Sequence, residues 1–497
     1  MTKQTLLCEE TTAHSPFSLA QTLAGVPGRV LLHSADPAGT GGRYSFVTAA
    51  PFLTFRSHGA ACRIRTAQRT VRQFGNPWSI LAALFARYEL LDEIDLPFPL
   101  GGAFGFWGYE LRSFVEPRLP RHAADDLGLP DCHLGFYNSL VVFDHALAKC
   151  WIVATGQQAD GSRCADAAAI AVDFWRAQLR APLPSPPAPP GVPTSGGWRE
   201  CHSSLSRAAF LDRVRQAQRY IRAGDIYQVN LAQRLRVGGT WDPAGLYDAL
   251  AAASPAPFAA WVEAGPLHIL SSSPELFLRF SGREVITRPI KGTRPRGAAG
   301  DRDIQLAYEL QTSPKEMAEL VMITDLLRND LGRVCEYGSI HVPELARLER
   351  YAYVQHLVST VAGRLRNDVS HLAALQACFP GGSVTGAPKV RAMEIIDELE
   401  PVPRGPYTGC LGYLGFNRES QLSIIIRTAL RTRAAVHFHV GAGIVADSDP
   451  AAEYEETVDK ARGFLAAVGW GTGAERGASE SLPCPERARP SDPAGAS

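Results

Sequence analysis

The chain has 497 residues, 45% of them hydrophobic, and its 50 Lys plus Arg balance 50 Asp plus Glu to a formal net charge of zero. That length buries a large core and allows about three domains or fewer, while the charge balance speaks against nucleic acid, whose binders carry a basic excess. No run approaches the roughly twenty apolar residues of a membrane span, Met1-Thr2-Lys3-Gln4-Thr5 begins no secretory signal, and the cysteines form no Cys-x-x-Cys pair. The expectation is a cytoplasmic enzyme or binding protein without zinc or a disulfide framework.

The first region, to about residue 180, carries short strand-like runs such as Leu140-Val141-Val142-Phe143 and a glycine-rich stretch, Gly101-Gly102-Ala103-Phe104-Gly105-Phe106-Trp107-Gly108-Tyr109. The proline-rich run from Pro182 to Pro193 can join neither a helix nor a central strand. Composition therefore sets a boundary there, with a second region from about 198 to 470. Beyond Trp470 the tail has few large apolar residues and is expected to be disordered.

In the second region Ser206 opens a helix whose apolar face is Phe210, Val214, Ala217 and Ile221, with Gly224 as its stop. Tyr227 to Ala232 alternates as a strand, with the amides of Gln228 and Asn230 on one face. Gln228 then lines either an ordinary sheet edge or a polar pocket. The run Arg288-Pro289-Ile290-Lys291-Gly292-Thr293-Arg294-Pro295-Arg296-Gly297 sets one amine among three guanidinium groups. Cationic neighbours penalise an ammonium, so Lys291 reads as a nucleophile within an anion site; a solvated basic turn is the other reading.

Ser313-Pro314-Lys315-Glu316 caps a second helix running through Met322 towards Leu331, and Glu319 lies one turn beyond Glu316 on the same face. Asp449-Pro450 opens a third, with Glu453, Glu456 and Lys460 along one stripe. Each stripe reads as a solvated face, or, if the two meet, as an oxygen-rich site suited to Mg2+. The loop from Pro380 to Lys389 and the segment Gly441-Ala442-Gly443 after a strand offer backbone N–H groups to an anion, or are tight turns.

Five strings carry a resemblance: Ser271-Ser272-Ser273-Pro274-Glu275-Leu276-Phe277, Asp325-Leu326-Leu327-Arg328-Asn329-Asp330-Leu331-Gly332-Arg333, His356-Leu357-Val358-Ser359, Gly381 to Lys389, and Gly441 to Glu456. With them the chain resembles the chorismate-utilising enzymes from about residue 15 to 468, and most closely component I of the aminodeoxychorismate synthases. The resemblance implies an α/β two-sheet sandwich with flanking helices. Residues 15–180 would complete this architecture, 181–197 would be a surface loop, 198–470 the chorismate-binding region, and 471–497 the tail.

The same resemblance implies Mg2+ bridging Glu319 and Glu456 to a substrate carboxylate, with Glu316 and Glu453 nearby. It makes Tyr407, Arg427, Gly441, Ala442, Gly443 and Lys460 chorismate-binding positions, assisted by Thr293 and Gln228. Glu275 and His356 resemble the family's acid/base groups, and the sequence leaves open which of them protonates the departing C4 hydroxyl. Anthranilate synthases usually carry alanine where Lys291 stands, and isochorismate synthases a water-activating lysine where Gln228 stands. The implied reaction is attack of Lys291 at C2 and then ammonia at C4, giving 4-amino-4-deoxychorismate for folate synthesis, with anthranilate synthesis as the alternative. Ammonia would come from a glutamine amidotransferase subunit. Ser34, Tyr44 and Ser45 resemble a tryptophan-binding segment, from which His33 departs by replacing a common acidic residue.

Overall fold

The computed structural model describes residues 5–34, 42–91, 93–119, 121–187, 201–297, 300–351 and 354–470. The later part of the proline-rich run and the C-terminal tail lie outside the described residues. Strand Val30–His33 sends Val30 into one hydrophobic cluster and Leu31 into another. The same alternation divides Phe46 from Val47, Val142 from Val141 and Ala260 from Ala259. A sheet apolar on both faces has to be covered on both.

One cover is a second sheet. Among the described residues each sheet has twelve strands, and their pairings are antiparallel. The first sheet runs from edge strand Leu6–Glu10 through Val30–His33, Phe258–Ala264, Leu267–Ser273, Thr428–Arg431 and Ala435–Ile444 to Gln228–Gly238 and Cys201–Ser203. The second runs from Ile290–Pro295 through Val354–Arg364, Glu284–Arg288, Leu276–Ser281, Glu419–Ile424 and Cys410–Gly415 to Gly102–Trp107 and the hairpins beyond it. Phe46 of the first sheet meets Tyr413 of the second edge to face at 5.2 Å between ring centres.

The other cover is helical. Helices Pro16–Thr22, Ala165–Arg180, Pro243–Ala253 and Pro450–Ala467 put Leu19, Trp175, Tyr247 and Phe464 into the cluster that holds Leu31 and Val47. Strands from either side of the proline-rich run pair directly: Val30–His33 with Phe258–Ala264, and Gly102–Trp107 with Cys410–Gly415. The core is thus shared between the two regions that composition separates.

The helix ends follow the residues that cap them. Ser206 accepts from the Ala209 N–H, and helix Arg207–Arg222 gives way to Gly224 at φ +83°. Ser313 and Asp449 likewise cap helices Pro314–Gly332 and Pro450–Ala467.

Two chain segments step from one sheet to the other side by side. Ser273-Pro274-Glu275-Leu276 leaves the first sheet for the second, and Ile424 to Thr428 makes the return. They are stitched together by Ile424 N–H to the Glu275 carbonyl (3.1 Å), Ser272 N–H to the Arg427 carbonyl (3.1 Å) and Ser273 Oγ to the Ile424 carbonyl (2.6 Å). Arg427 sits at φ +51°, unusual for a residue with a side chain, and such strain collects at functional sites.

Candidate active site

Beside the two crossovers lies a cavity of about 750 Å³, against 180 and 120 Å³ for two other cavities. Its wall brings together Glu275, Lys291, Thr293, His356, Tyr407, Arg427, Gly441, Gly443 and Lys460 with all four glutamates, Glu316, Glu319, Glu453 and Glu456. Gln228 lies immediately behind the wall. Ala442 points the other way, fully buried with Val229, Leu231 and Ile444, so only its backbone could serve the cavity.

Lys291 stands on strand Ile290–Pro295, whose register against Val354–Arg364 slips between Lys291, opposite Leu357, and Thr293, opposite His356. Gly292 absorbs the slip at φ +69°. The Lys291 amine reaches Glu319 at 3.3 Å, and a Cβ on Gly443 of the first sheet would lie 3.2 Å from it. The three neighbouring arginines do not crowd the amine as their spacing suggests. Arg288 pairs with Glu349, Arg294 with Glu316 at 3.4 Å and Arg296 with Asp303 at 2.8 Å, so the charge that Lys291 meets is an anion. Successive strand side chains alternate in direction, which a one-dimensional reading of the basic run overlooks.

Glu316 is more than a capping residue. Ser313 accepts from its N–H, but the Ser313 N–H goes to the Leu310 carbonyl, leaving the Glu316 carboxylate to Arg294. On the facing helix Lys460 bonds Glu456 at 2.6 Å and the Gly441 carbonyl at 2.8 Å. Partial burial would raise the Glu456 carboxyl, and the Lys460 ammonium outweighs it, leaving the pKa below its ordinary value. Burial instead raises Glu453, which accepts from Ser448 Oγ at 2.7 Å.

These oxygen donors suit Mg2+, a hard cation usually held by one or two carboxylates with water and substrate completing its shell. Among the described residues no three His, Cys, Asp or Glu side chains gather closely enough to cage a metal by themselves.

Glu275 and His356 differ sharply. Glu275 is buried, and desolvation lifts its carboxyl to a pKa of about 7 despite the Ser383 hydroxyl that donates to it at 2.5 Å and the nearby Lys291. His356 is buried too, and desolvation lowers its ring to about 4. Its Nδ1 lies 2.9 Å from Thr293 Oγ1. Near neutral pH the carboxyl is therefore about half protonated, available as an acid, while the imidazole is uncharged.

Gly441 and Gly443 lie within strand Ala435–Ile444, opposite Ala232 and Asn230, and not in a turn after it. The strand's other edge is paired only as far as Phe438. The Gly441 carbonyl points to this free edge, where Lys460 takes it, and the N–H of the same residue points the same way. Ser383 is a site residue that sequence reading missed; its only local signal is its place in the Pro380–Lys389 loop.

The smaller cavity of about 180 Å³ is lined by His33, Ser34 and Tyr44, with Arg279 and Glu419 across from them. Ser45 turns inward, accepting from the Ser34 N–H at 3.1 Å and meeting His145 at 2.7 Å. Burial first, then His145, lowers the His33 ring to about 4.

A sequence model described as chorismate binding enzyme matches residues 42–466. The chain belongs to the chorismate-binding enzyme family. Among its relatives, anthranilate synthase component 1 of Synechocystis is 41% identical over 89% of this chain and 91% of its own. Aminodeoxychorismate synthase component 1 of Salmonella typhimurium is 38% identical over 88% and 93%. The crystal structure of anthranilate synthase component I from Streptococcus pneumoniae superposes with a TM-score of 0.72 at 30% identity, covering 84% of this chain and 91% of its own. An isochorismate synthase of Escherichia coli, 19% identical, shares the fold with a TM-score of 0.69 over 93% and 94%. This family member is thus a chorismate-utilising enzyme, and its two-sheet architecture matches what the sequence resemblance implies.

Proposed function

We propose that this family member is an aminodeoxychorismate synthase component I, which aminates chorismate at C4. The observation that carries the reading is Lys291, whose amine is 3.3 Å from Glu319 inside the cavity that also holds Glu275 and Arg427. The Lys291 amine attacks C2, the ring electrons shift, and the C4–O bond breaks as Glu275 gives its proton to the departing hydroxyl, releasing water. Ammonia then adds at C4, the electrons shift back, the C2–N bond to Lys291 breaks, and the proton from the new ammonium returns to the Glu275 carboxylate. Electrons and protons balance over the two steps, and Lys291 and Glu275 regain their starting states. Arg427, which donates to the Lys460 carbonyl at 3.3 Å, is suited to a substrate carboxylate.

Mg2+, held by Glu319 and Glu456 with Glu316 and Glu453 alongside, would supply Lewis-acid stabilisation of substrate oxygens. Ammonia comes from a glutamine amidotransferase subunit, as the component 1 names of the relatives suggest. The product feeds para-aminobenzoate and folate synthesis through a separate lyase. Among the described residues no helix is long and apolar enough to cross a membrane. The smaller cavity is the candidate for a tryptophan ligand, through Ser34 and Tyr44 with Ser45 behind them.

Anthranilate synthesis is the second reading, favoured by the names of the relatives at 41 and 42% identity. Incubation with chorismate, Mg2+ and ammonium, followed by mass analysis, separates the two. Aminodeoxychorismate without pyruvate is expected; anthranilate as the main product would overturn the proposal.

A further inference from the structure

Strand Gln228–Gly238 pairs along one edge with Ala435–Ile444, but its other edge is interrupted. Residues 228 and 229 pair there with Ala387 and Gly386, and residues 235–237 pair with 201–203. In the gap the Asn230 N–H still donates to the Thr385 carbonyl at 2.8 Å, but the next two groups along the edge are met by side chains. Arg404 Nη2 donates to the Asn230 carbonyl at 2.7 Å, and the Ala232 N–H donates to Glu400 Oε1 at 2.9 Å. The two side chains are themselves joined at 2.6 and 2.8 Å. A donor and an acceptor one residue apart on a strand edge are what a neighbouring strand would have supplied.

Arg404 is 1% exposed, and its remaining donors are also used. Nη1 reaches the Val384 carbonyl at 3.0 Å and Thr408 Oγ1 at 3.1 Å, which brings the guanidinium to its full complement of five N–H bonds. Its plane lies over the ring of Tyr407 at 5.6 Å. Neither Arg404 nor Glu400 lines the large cavity, yet Asn230, Val384 and Tyr407 all do. Val384 follows Ser383, the donor to Glu275, while Asn230 and Ala232 are the strand partners of Gly443 and Gly441.

We infer that Arg404, locked by Glu400, is the positioning residue of this active site. It acts as a surrogate strand that fixes three walls of the chorismate cavity relative to one another: the glycine-bearing strand pair, the Ser383 loop and Tyr407. The inference rests on the family's substrate and holds whichever product is formed. A lysine keeps the charge but offers three donors in place of five and cannot present the planar fork.

The test is chorismate dissociation, measured by calorimetry on folded, monodisperse Arg404→Lys and Glu400→Gln, together with amide hydrogen exchange. Arg404→Lys is expected to weaken binding about tenfold and Glu400→Gln, which keeps an acceptor for Ala232, about threefold, in line with the loss of charged hydrogen bonds. Exchange should accelerate in peptides covering 228–234 and 381–388 while strand Phe258–Ala264 stays protected. A merely structural role lowers the folded fraction without changing the dissociation constant of the molecules that remain folded. Where Arg404→Lys does not accumulate, Glu400→Gln decides alone. A dissociation constant within twofold of wild type in the folded variant, or exchange that rises evenly over both sheets, would overturn the inference.

Discussion

Lys291 Nζ and Glu319 Oε2 lie 3.3 Å apart, joining the terminal strand of one sheet to the helix Pro314–Gly332. The pair sets a carboxylate suited to a metal against an amine suited to covalent attack. Lys291→Ala is therefore expected to leave chorismate binding largely intact while C4 amination falls by roughly two orders of magnitude, the scale on which one reacting group acts. Loss of the covalent adduct, seen by mass of the intact protein trapped during turnover, checks the cause. Undiminished aminodeoxychorismate formation would remove Lys291 from the mechanism.

Glu275 predicts that activity and stability both fall as pH rises. With its pKa raised to about 7 by burial, the acid form is lost as pH rises through 7, so the rate of hydroxyl departure should fall on that side. In stability terms the folded state binds more protons than the unfolded state between the ordinary carboxyl value of 4.5 and about 7, so stability declines as pH rises across that window. The full span is on the order of 3 kcal/mol. Glu275→Gln should abolish this decline, as read by urea unfolding at several pH values, while kcat drops roughly 10²- to 10⁴-fold.

Ser383→Ala tests the same carboxyl from its partner's side. The hydroxyl at 2.5 Å favours the ionised form, so its removal should move the alkaline limb of the rate profile to higher pH. A limb displaced downward, or unmoved, would show that the bond does not govern the acid.

Gly443 leaves no room for a methyl group. A Cβ there would lie 2.4 Å from Gln228 Nε2 and 3.2 Å from Lys291 Nζ. Gly443→Ala should lower kcat/KM by about tenfold or more, by displacing both side chains. Adding Gln228→Ala, which clears the closest atom, should restore part of the loss; a double variant no better than Gly443→Ala alone would put the damage in the backbone.

The Phe46 and Tyr413 contact predicts that the two regions unfold together. Phe46→Ala should cost about 3–5 kcal/mol and lower the thermal stability of peptides on both sides of the proline-rich run, followed by hydrogen exchange. Separate expression of the region after that run should give little folded protein, because Phe258–Ala264 would lose its partner Val30–His33.

Local features proved readable from the sequence where local chemistry decides. Ser206, Ser313 and Asp449 cap their helices as their spacing predicts, and Phe210, Val214 and Ala217 form the buried face of Arg207–Arg222. The glutamate stripes do reach one cavity, although helical periodicity says nothing about which helices meet. Long-range pairing was not readable. The carboxylates that draw Arg288, Arg294 and Arg296 away from Lys291 come from Glu349, Glu316 and Asp303, and Arg404 finds its carbonyls at Asn230 and Val384 on two separate segments. Nor does composition reveal that a proline-rich interruption lies between strands that pair with each other.

Glu275 and Arg427 sit on two neighbouring seams where the chain passes from sheet to sheet, whereas Lys291 rides on a terminal strand. A seam is anchored at both ends by covalent continuity, so its residues shift only if the sheets shift. A terminal strand can exchange a side chain without disturbing a neighbour on its far side. The fold thereby separates what must stay fixed, the two crossovers that carry Glu275 and Arg427, from what can be altered one residue at a time, and a change of reaction within such a scaffold needs no change of architecture.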